Sequence, residues 1–269
     1  MTAAHTPKPL VFETASNEVS AVERAEWLKK MRLQAEALYD QLAPAYWVKF
    51  GLYANAAHRQ FIEEFLGRLV AHSTILDAAC GAGRYDGRLL EAGHAVLGID
   101  QSGSMLARAR EFFPQERFPG LRFAKIGLQE MDFQAKFGGV ICIDALEHVC
   151  PEDWPGILAR FQKALKSSGV LYVTVEVAEW GEVSEAYERA KALGLPVVLG
   201  EVVNEIGAAY LQAVALDGGT ISGEQADLAV YHYYPPLKQV RLWLDQAGLA
   251  IEEEGTGDGY AHLLARKNA

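Results

Sequence analysis

Two hydrophobic rhythms alternate along this chain. Over residues 19–39 the apolar residues Val22, Trp27, Met31 and Leu38 recur among charges at helical spacing, and residues 56–70 repeat the pattern with Phe61, Ile62, Phe65, Leu66 and Leu69. Short apolar runs of strand length then take turns with helical stretches. The runs cover residues 74–78, 93–100, 121–126, 137–144 and 170–176, and the helices between them include residues 85–92 and one that closes over residues 161–165. The run at 137–144 has the all-apolar, β-branched look of a parallel strand covered on both faces. This alternation of strand and helix predicts an α/β fold. A last helix over residues 237–247 stops at Gly248. Two closing strands, 249–254 and 260–266, are joined by the glycine-rich reversal Gly255-Thr256-Gly257-Asp258-Gly259.

What remains outside this pattern is a polar start and a long insertion. Residues 1–18 carry Pro7 and Pro9 and read as a loosely ordered tail. Residues 177–236 are longer than a plain crossover. They hold two helical stretches, 183–193 and 203–216, and end in Tyr231-His232-Tyr233-Tyr234-Pro235-Pro236. An insertion at the carboxyl edge of an α/β sheet lies over the site, so this segment is expected to be a cap. There is no internal repeat.

Composition narrows the function classes. Half of the 269 residues are hydrophobic, ample for a core. The formal net charge is -10 and no Lys/Arg cluster stands out, which disfavours nucleic acid or an anionic membrane as partner. Cys80, Cys142 and Cys150 are too few and scattered for a disulfide framework, and reduced thiols are consistent with the cytoplasm. The first residues lack a basic-then-apolar leader pattern, and no apolar run reaches the ~18 residues of a membrane span.

The chemistry gathers at Asp77-Ala78-Ala79-Cys80-Gly81-Ala82-Gly83-Arg84, a small-residue loop between the first strand and its helix. Glycines there let backbone approach a ligand, and the helix start behind them points free N–H groups into the loop. A dinucleotide fingerprint needs a third glycine where Asp86 stands, and a P-loop needs a Gly-Lys-Ser/Thr that is absent. The loop resembles motif I of the class I S-adenosylmethionine-dependent methyltransferases, with Ala79 in place of the first glycine. Other segments extend the resemblance. Asp100 closes the second strand 17 residues after Gly83, Gln101-Ser102-Gly103-Ser104-Met105-Leu106 follows it, and Asp144-Ala145-Leu146-Glu147-His148-Val149 follows the fourth strand. Leu38-Tyr39-Asp40-Gln41-Leu42-Ala43-Pro44-Ala45-Tyr46-Trp47 is similar to the lid segment of small-molecule members.

The resemblance implies a three-layer Rossmann-like fold, a seven-stranded sheet with its last strand antiparallel, and a helical cap insertion. Residues 1–55 would be tail and lid helices, 56–176 the cofactor-binding core, 177–236 the substrate cap, and 237–269 the completing helix and hairpin. It implies S-adenosylmethionine as cofactor. The Asp77 to Arg84 loop would take the methionine end through Asp77, Ala79, Cys80, Gly81, Gly83 and Arg84. Asp100 and Gln101 would hold the ribose, Met105 would lie against the adenine, and Leu128 and Gln129 would contact it. Tyr39 and Tyr46 would close over the cofactor, with Asp144 and Ala145 beside it.

For the methyl acceptor, a small molecule, two histidines are nominated. His148 follows the fourth strand and titrates near neutrality, as a general base must. His232 sits among tyrosines; in an extended segment His232 and Tyr234 face one way, Tyr231 and Tyr233 the other. Tyr231, Tyr233, Tyr234, Trp47 and Glu201 are candidate substrate contacts. Asp144, Glu147 and His148 share the spacing of some quinone-precursor O-methyltransferases that use a divalent metal, but the same letters serve metal-free relatives, and no metal is expected. The expected reaction is methyl transfer to O, N or C. The alternatives are a scaffold that binds the same cofactor for cyclisation or decarboxylation, a NAD-dependent oxidoreductase, and a protein that only binds.

Overall fold

The computed structural model describes residues 21–47, 55–205 and 229–268. The expected tail, 1–18, lies outside them, as do residues 206–216 of the second helical stretch of the insertion.

Helix α1 (Ala21–Tyr46) runs past the predicted end at Tyr39 and absorbs the whole segment that resembles a lid. Its buried stripe, Trp27, Leu28, Met31, Ala35, Leu38, Leu42 and Ala43, keeps helical spacing to the end. Pro44 removes one internal hydrogen bond without stopping the helix, because the next turn is already its last. Helix α2 (Ala56–Gly67) is capped by Asn55, whose side chain accepts from the His58 N–H.

The core follows as β1 (Thr74–Ala78), α3 (Asp86–Glu91), β2 (Ala95–Asp100), α4 (Gly103–Phe112), β3 (Leu121–Lys125), β4 (Phe137–Cys142), α5 (Trp154–Ala164) and β5 (Leu165–Glu176). The chain then forms α6 (Trp180–Ala192), β6 (Glu201–Glu205), β7 (Ala229–Tyr233), α7 (Leu237–Gln246), β8 (Leu249–Gly257) and β9 (Tyr260–Lys267). Seven strands make one sheet in the order β3-β2-β1-β4-β5-β9-β8. All neighbours are parallel except β9, which runs against both β5 and β8.

Alternate residues of each central strand feed opposite layers. Leu76 and Ala78 of β1, Val140 and Cys142 of β4 and Leu171 and Val173 of β5 pack with α1, α5 and α7. Ile75, Ile141 and Tyr172 pack on the other face with Phe61, Ile62 and Phe65 of α2 and Leu89 of α3. Strand order reverses between β1 and β4, which opens a crevice at their carboxyl ends.

The described part of the insertion is α6 and a separate antiparallel ribbon, β6 with β7. Val203 therefore does not begin a helix, as its spacing predicts. Val202 and Val203 are β-branched and pair with His232 and Tyr231, and that partner strand lies too far along the chain for local periodicity to reveal. The terminal hairpin is also tighter than predicted. Its turn is the pair Asp258-Gly259, both at positive φ (54° and 85°), the mark of a two-residue hairpin turn. Gly255 and Gly257 belong to β8 instead, where a Cβ would come within 2.8 Å of Phe61 and 2.7 Å of Ala57. Among the described residues no helix is long and apolar enough to cross a membrane. All three cysteines are free and buried.

Candidate active site

The loop from β1 to α3 turns sharply, with Ala79, Gly81 and Gly83 at φ of 62°, 56° and 81°. Two backbone donors stitch it to β2: Cys80 N–H to the Ile99 carbonyl at 2.9 Å, and Gly81 N–H to Asp100 Oδ2 at 2.9 Å. Asp100 Oδ1 accepts from Ser102 N–H at 2.8 Å. Burial outweighs these donors and raises the Asp100 pKa above the ordinary carboxylate value. Ser102 caps α4 by accepting from Met105 N–H, and its hydroxyl donates to Asp40 of α1 at 2.6 Å. Asp40 also accepts from Ser104 N–H, so it fastens the covering helix to the start of α4.

A cleft of about 920 Å³, counted with its open mouth, lies over this loop. The loop supplies Ala79, Cys80, Gly81 and Arg84 to its lining, and β1 supplies Asp77. Asp100, Gln101 and Met105 line one side; Leu128 and Gln129 line another, with Asp144, Ala145 and His148 after β4 and Tyr39 and Tyr46 from α1. Of the residues nominated for the cofactor only Gly83 stays out of the lining. A Cβ there would meet Asp86 Oδ2 at 2.8 Å and the Phe113 ring at 3.0 Å. Arg32, Ala35, Tyr85, Ile126, Ile143 and Val149 line the cleft without having been nominated. Arg32 and Ala35 fall on the α1 face that carries Tyr39 and Tyr46, a face visible only if the helix is read through to Tyr46.

These walls suit an aminoacyl nucleoside. Asp100 gives each carboxylate oxygen one backbone donor and keeps lone pairs for a pair of hydroxyls. Met105, Ile126 and Leu128 offer apolar surface for a flat base, with Gln129 at the edge. Arg84 supplies a guanidinium beside the glycine loop. It donates to Asp144 Oδ2 at 2.9 Å and to the Tyr46 hydroxyl at 2.7 Å.

Asp144 follows β4 at φ 51°. Its N–H donates to Thr174 Oγ1 at 2.8 Å, and Oδ1 accepts from His58 Nε2 at 2.7 Å. Burial favours its neutral form, yet His58 and Arg84 together hold the carboxyl below its ordinary value. His148 is set by two contacts. Its Nδ1 lies 3.2 Å from the Tyr231 carbonyl, which can only accept, so Nδ1 carries the proton. Nε2 is then an acceptor, and the Tyr39 hydroxyl donates to it at 2.7 Å. Burial lowers the His148 pKa to about 4, so the imidazole is neutral but a weaker base than the near-neutral titration expected from the sequence. His232 stands behind it, ring centroids 4.8 Å apart, and does not line the cleft. Burial and the neighbouring His148 lower the His232 pKa to about 3, and its Nδ1 bonds the Tyr234 hydroxyl at 2.9 Å.

Asp144, Glu147 and His148 do not converge as a ligand set. Asp144 is committed to His58 and Arg84, and His148 to Tyr39 and the Tyr231 carbonyl. Among the described residues no group of three His, Cys, Asp or Glu is arranged to hold a metal ion.

The nominated substrate contacts lie elsewhere. Glu201 is fully buried in an ion pair with Arg24, and the Tyr231 hydroxyl donates to it at 2.5 Å. Tyr233 packs edge-on against Trp154, and Tyr234 joins Val183 and Val202 under α6. Trp47 stacks on Phe112 of α4, centroids 4.0 Å apart. Tyr231 and Tyr233 face inward together, as alternation predicts, but toward the protein core rather than the cleft.

With this geometry in hand, three comparisons bear on the chain. Residues 75–169 match the model of a methyltransferase domain. The chain is 36% identical over 115 residues to a glycine/sarcosine N-methyltransferase of Halorhodospira halochloris, covering 41% of this chain and 42% of that protein. It is 28% identical over 176 residues to a ubiquinone biosynthesis O-methyltransferase of Rhodopseudomonas palustris strain BisA53, covering 62% and 68%. The chain thus spans less than half of the first relative's length and about two thirds of the second's. A solved structure, Burkholderia thailandensis 1,6-didemethyltoxoflavin-N1-methyltransferase with bound 1,6-didemethyltoxoflavin and S-adenosylhomocysteine, gives a TM-score of 0.53 at 18% identity, covering 99% of this chain and 94% of that one. At that identity the likeness concerns the fold.

Proposed function

We propose that this chain, built on a class I S-adenosylmethionine-dependent methyltransferase domain, transfers a methyl group from that cofactor to oxygen, nitrogen or carbon of a small molecule, releasing S-adenosylhomocysteine. The observation that carries the reading is one cleft that joins a glycine loop and the Asp100 carboxylate to a tyrosine–histidine pair. The matches to an N-methyltransferase and an O-methyltransferase of small molecules support it.

When bound, the cofactor supplies an electrophilic methyl on a sulfonium. Asp100 takes the ribose hydroxyls, with Gln101 beside it. The loop and Arg84 take the methionine end, while Met105, Leu128 and Gln129 enclose the base. Such a transfer depends mainly on positioning and exclusion of water, which α1 provides by covering the cleft with Ala35, Tyr39 and Tyr46. Tyr39 donates its proton to His148 Nε2, so its oxygen presents lone pairs to the cleft. An acceptor O–H or N–H can donate to that oxygen. As its proton leaves, Tyr39 takes it and passes its own to Nε2, and the Tyr231 carbonyl stabilises the imidazolium through Nδ1. His232 supports this from behind. We place the protein in the cytoplasm, where three unpaired thiols stay reduced.

Isothermal titration with S-adenosylmethionine, S-adenosylhomocysteine and NAD in parallel tests the reading. Micromolar binding of the first two and none of NAD is expected; NAD binding alone refutes it. An acceptor screen by mass then separates methyl transfer, which adds one CH₂, from cyclisation or decarboxylation.

A further inference from the structure

Beneath the glycine loop, two carboxyls meet with no cation between them. Asp77 of β1 lines the cleft and Asp86 opens α3; they are 2% and 0% exposed. The two side chains lie in hydrogen-bond contact. Asp77 Oδ2 and both oxygens of Asp86 are buried and find no donor group among the described residues. The other titratable groups facing Asp77 are Asp100 on β2, Arg84 on the loop, and the buried thiols Cys80 and Cys142. Arg84 is already committed to Asp144 and Tyr46. Two bare carboxylates in contact, away from water, are untenable, and a proton shared between them supplies the missing donor. Burial accordingly pushes both pKa values up, Asp86 to about 7; at Asp77 the neighbouring Asp86 and Asp100 add to it, while at Asp86 the contact with Asp77 pulls the other way.

Resting on the methyltransferase reading, we propose that Asp77 and Asp86 hold one proton between them in the free protein and release it to solvent when the cationic methionine end of S-adenosylmethionine enters the cleft. The arriving positive charge replaces the proton as counter-charge for the pair. Asp86 does not line the cleft, so it is a positioning residue that acts through Asp77. The affinity for cofactor then rises with pH, by up to about tenfold per unit where the full proton is released.

The test is calorimetric titration of the full chain with S-adenosylmethionine at pH 7 in phosphate and in Tris, whose ionisation heats differ; the dependence of the heat on buffer counts protons. The wild type is expected to release between about 0.3 and 1 proton, and Asp86→Asn, whose amide donates to an ionised Asp77, close to none. Protons from other groups appear equally in both proteins and cancel. Equal counts in the two proteins, or no release by the wild type, overturn the proposal while leaving cofactor binding intact. Absence of binding at every pH overturns the methyltransferase reading and this inference with it. Should Asp86→Asn misfold, Asp77→Asn gives the same comparison, and unaltered proton release there is equally fatal.

Discussion

Glu201→Ala should destabilise the protein far more than the loss of an ordinary substrate contact would. Glu201 is fully buried and its carboxylate takes four donors: Arg24 Nη1 and Nη2 at 2.7 Å each, Val198 N–H at 2.6 Å and the Tyr231 hydroxyl at 2.5 Å. Arg24 reaches on to Glu152 at 2.8 Å and to the Pro196 carbonyl at 2.6 Å. Burial raises the Glu201 pKa by more than Arg24 lowers it, so the anion is held at some cost. Removing it takes the buried one of Arg24's two carboxylate partners and leaves a hydroxyl and an amide unpaired. A broken buried pair of this kind costs about 3–5 kcal/mol, a fall in Tm on the order of 10 °C for a chain of this size. The same change at Glu254, whose bond to Arg241 is exposed, should cost under about 1 kcal/mol. Urea unfolding and thermal scans measure both variants, and limited proteolysis within α1 detects local undocking. Replacing both partners, Arg24→Met with Glu201→Leu, should recover most of the loss, because no orphaned charge remains. If Glu201→Ala matches Glu254→Ala in stability and in protease resistance, the reasoning is wrong.

Other consequences are sharper in function or in pH. Tyr39→Phe should lower kcat at least about 100-fold for acceptors that must lose a proton, with cofactor Kd within about threefold; an unchanged kcat removes Tyr39 from the proton path. Glu147 has its pKa raised by burial first and by Glu176 and Asp144 next. Its stabilising contribution is therefore complete below the ordinary carboxylate value of about 4.3 and is lost as pH rises through the higher folded value. The wild-type urea midpoint should fall relative to Glu147→Gln as pH rises above the ordinary carboxylate value, and parallel curves would contradict this. Ala79→Gly should raise stability by up to about 1 kcal/mol, because φ 62° strains alanine and not glycine; a lower Tm would mean that the methyl group packs usefully.

The α/β order and the cleft loop were readable because both depend on local signals. Strand-length apolar runs mark β1 to β5, and a small-residue loop followed by an acid seventeen residues on marks the crevice. The features that escaped depend on partners remote in sequence. Glu201 reads as a loop acid until Arg24, 177 residues away, is placed against it. The tyrosines of β7 read as a binding strip, but Trp27 and Trp154 occupy the space they face. Asp86 reads as a spoiled glycine until Asp77 is found against it. Arg32 and Ala35 were missed because the helical spacing reads only to Tyr39, short of Tyr46, which completes the face.

Helix α1 is held in two different ways along its length. Its first half drives Trp27, Leu28 and Met31 into the main core cluster, and exposing those side chains would cost about 1.5–3 kcal/mol each. Its second half is tied by polar contacts: Glu36 to Lys125 at 2.7 Å, Asp40 to Ser102 and Ser104, Tyr39 to His148, and Tyr46 to Arg84. Each of these can be exchanged for water at about 0.5–1.5 kcal/mol net. The residues that cover the cleft lie mostly in this second half, whose apolar contacts are the buried Leu38, Leu42 and Ala43, the last resting on Ala82 and Met105, and, just after it, Trp47 stacked on Phe112. Three of the polar ties end on groups of the cleft or beside it, namely His148, Arg84 and the Ser102 cap next to Asp100. A bound nucleoside that ordered those groups would strengthen the same contacts that hold the second half of α1 over the cleft.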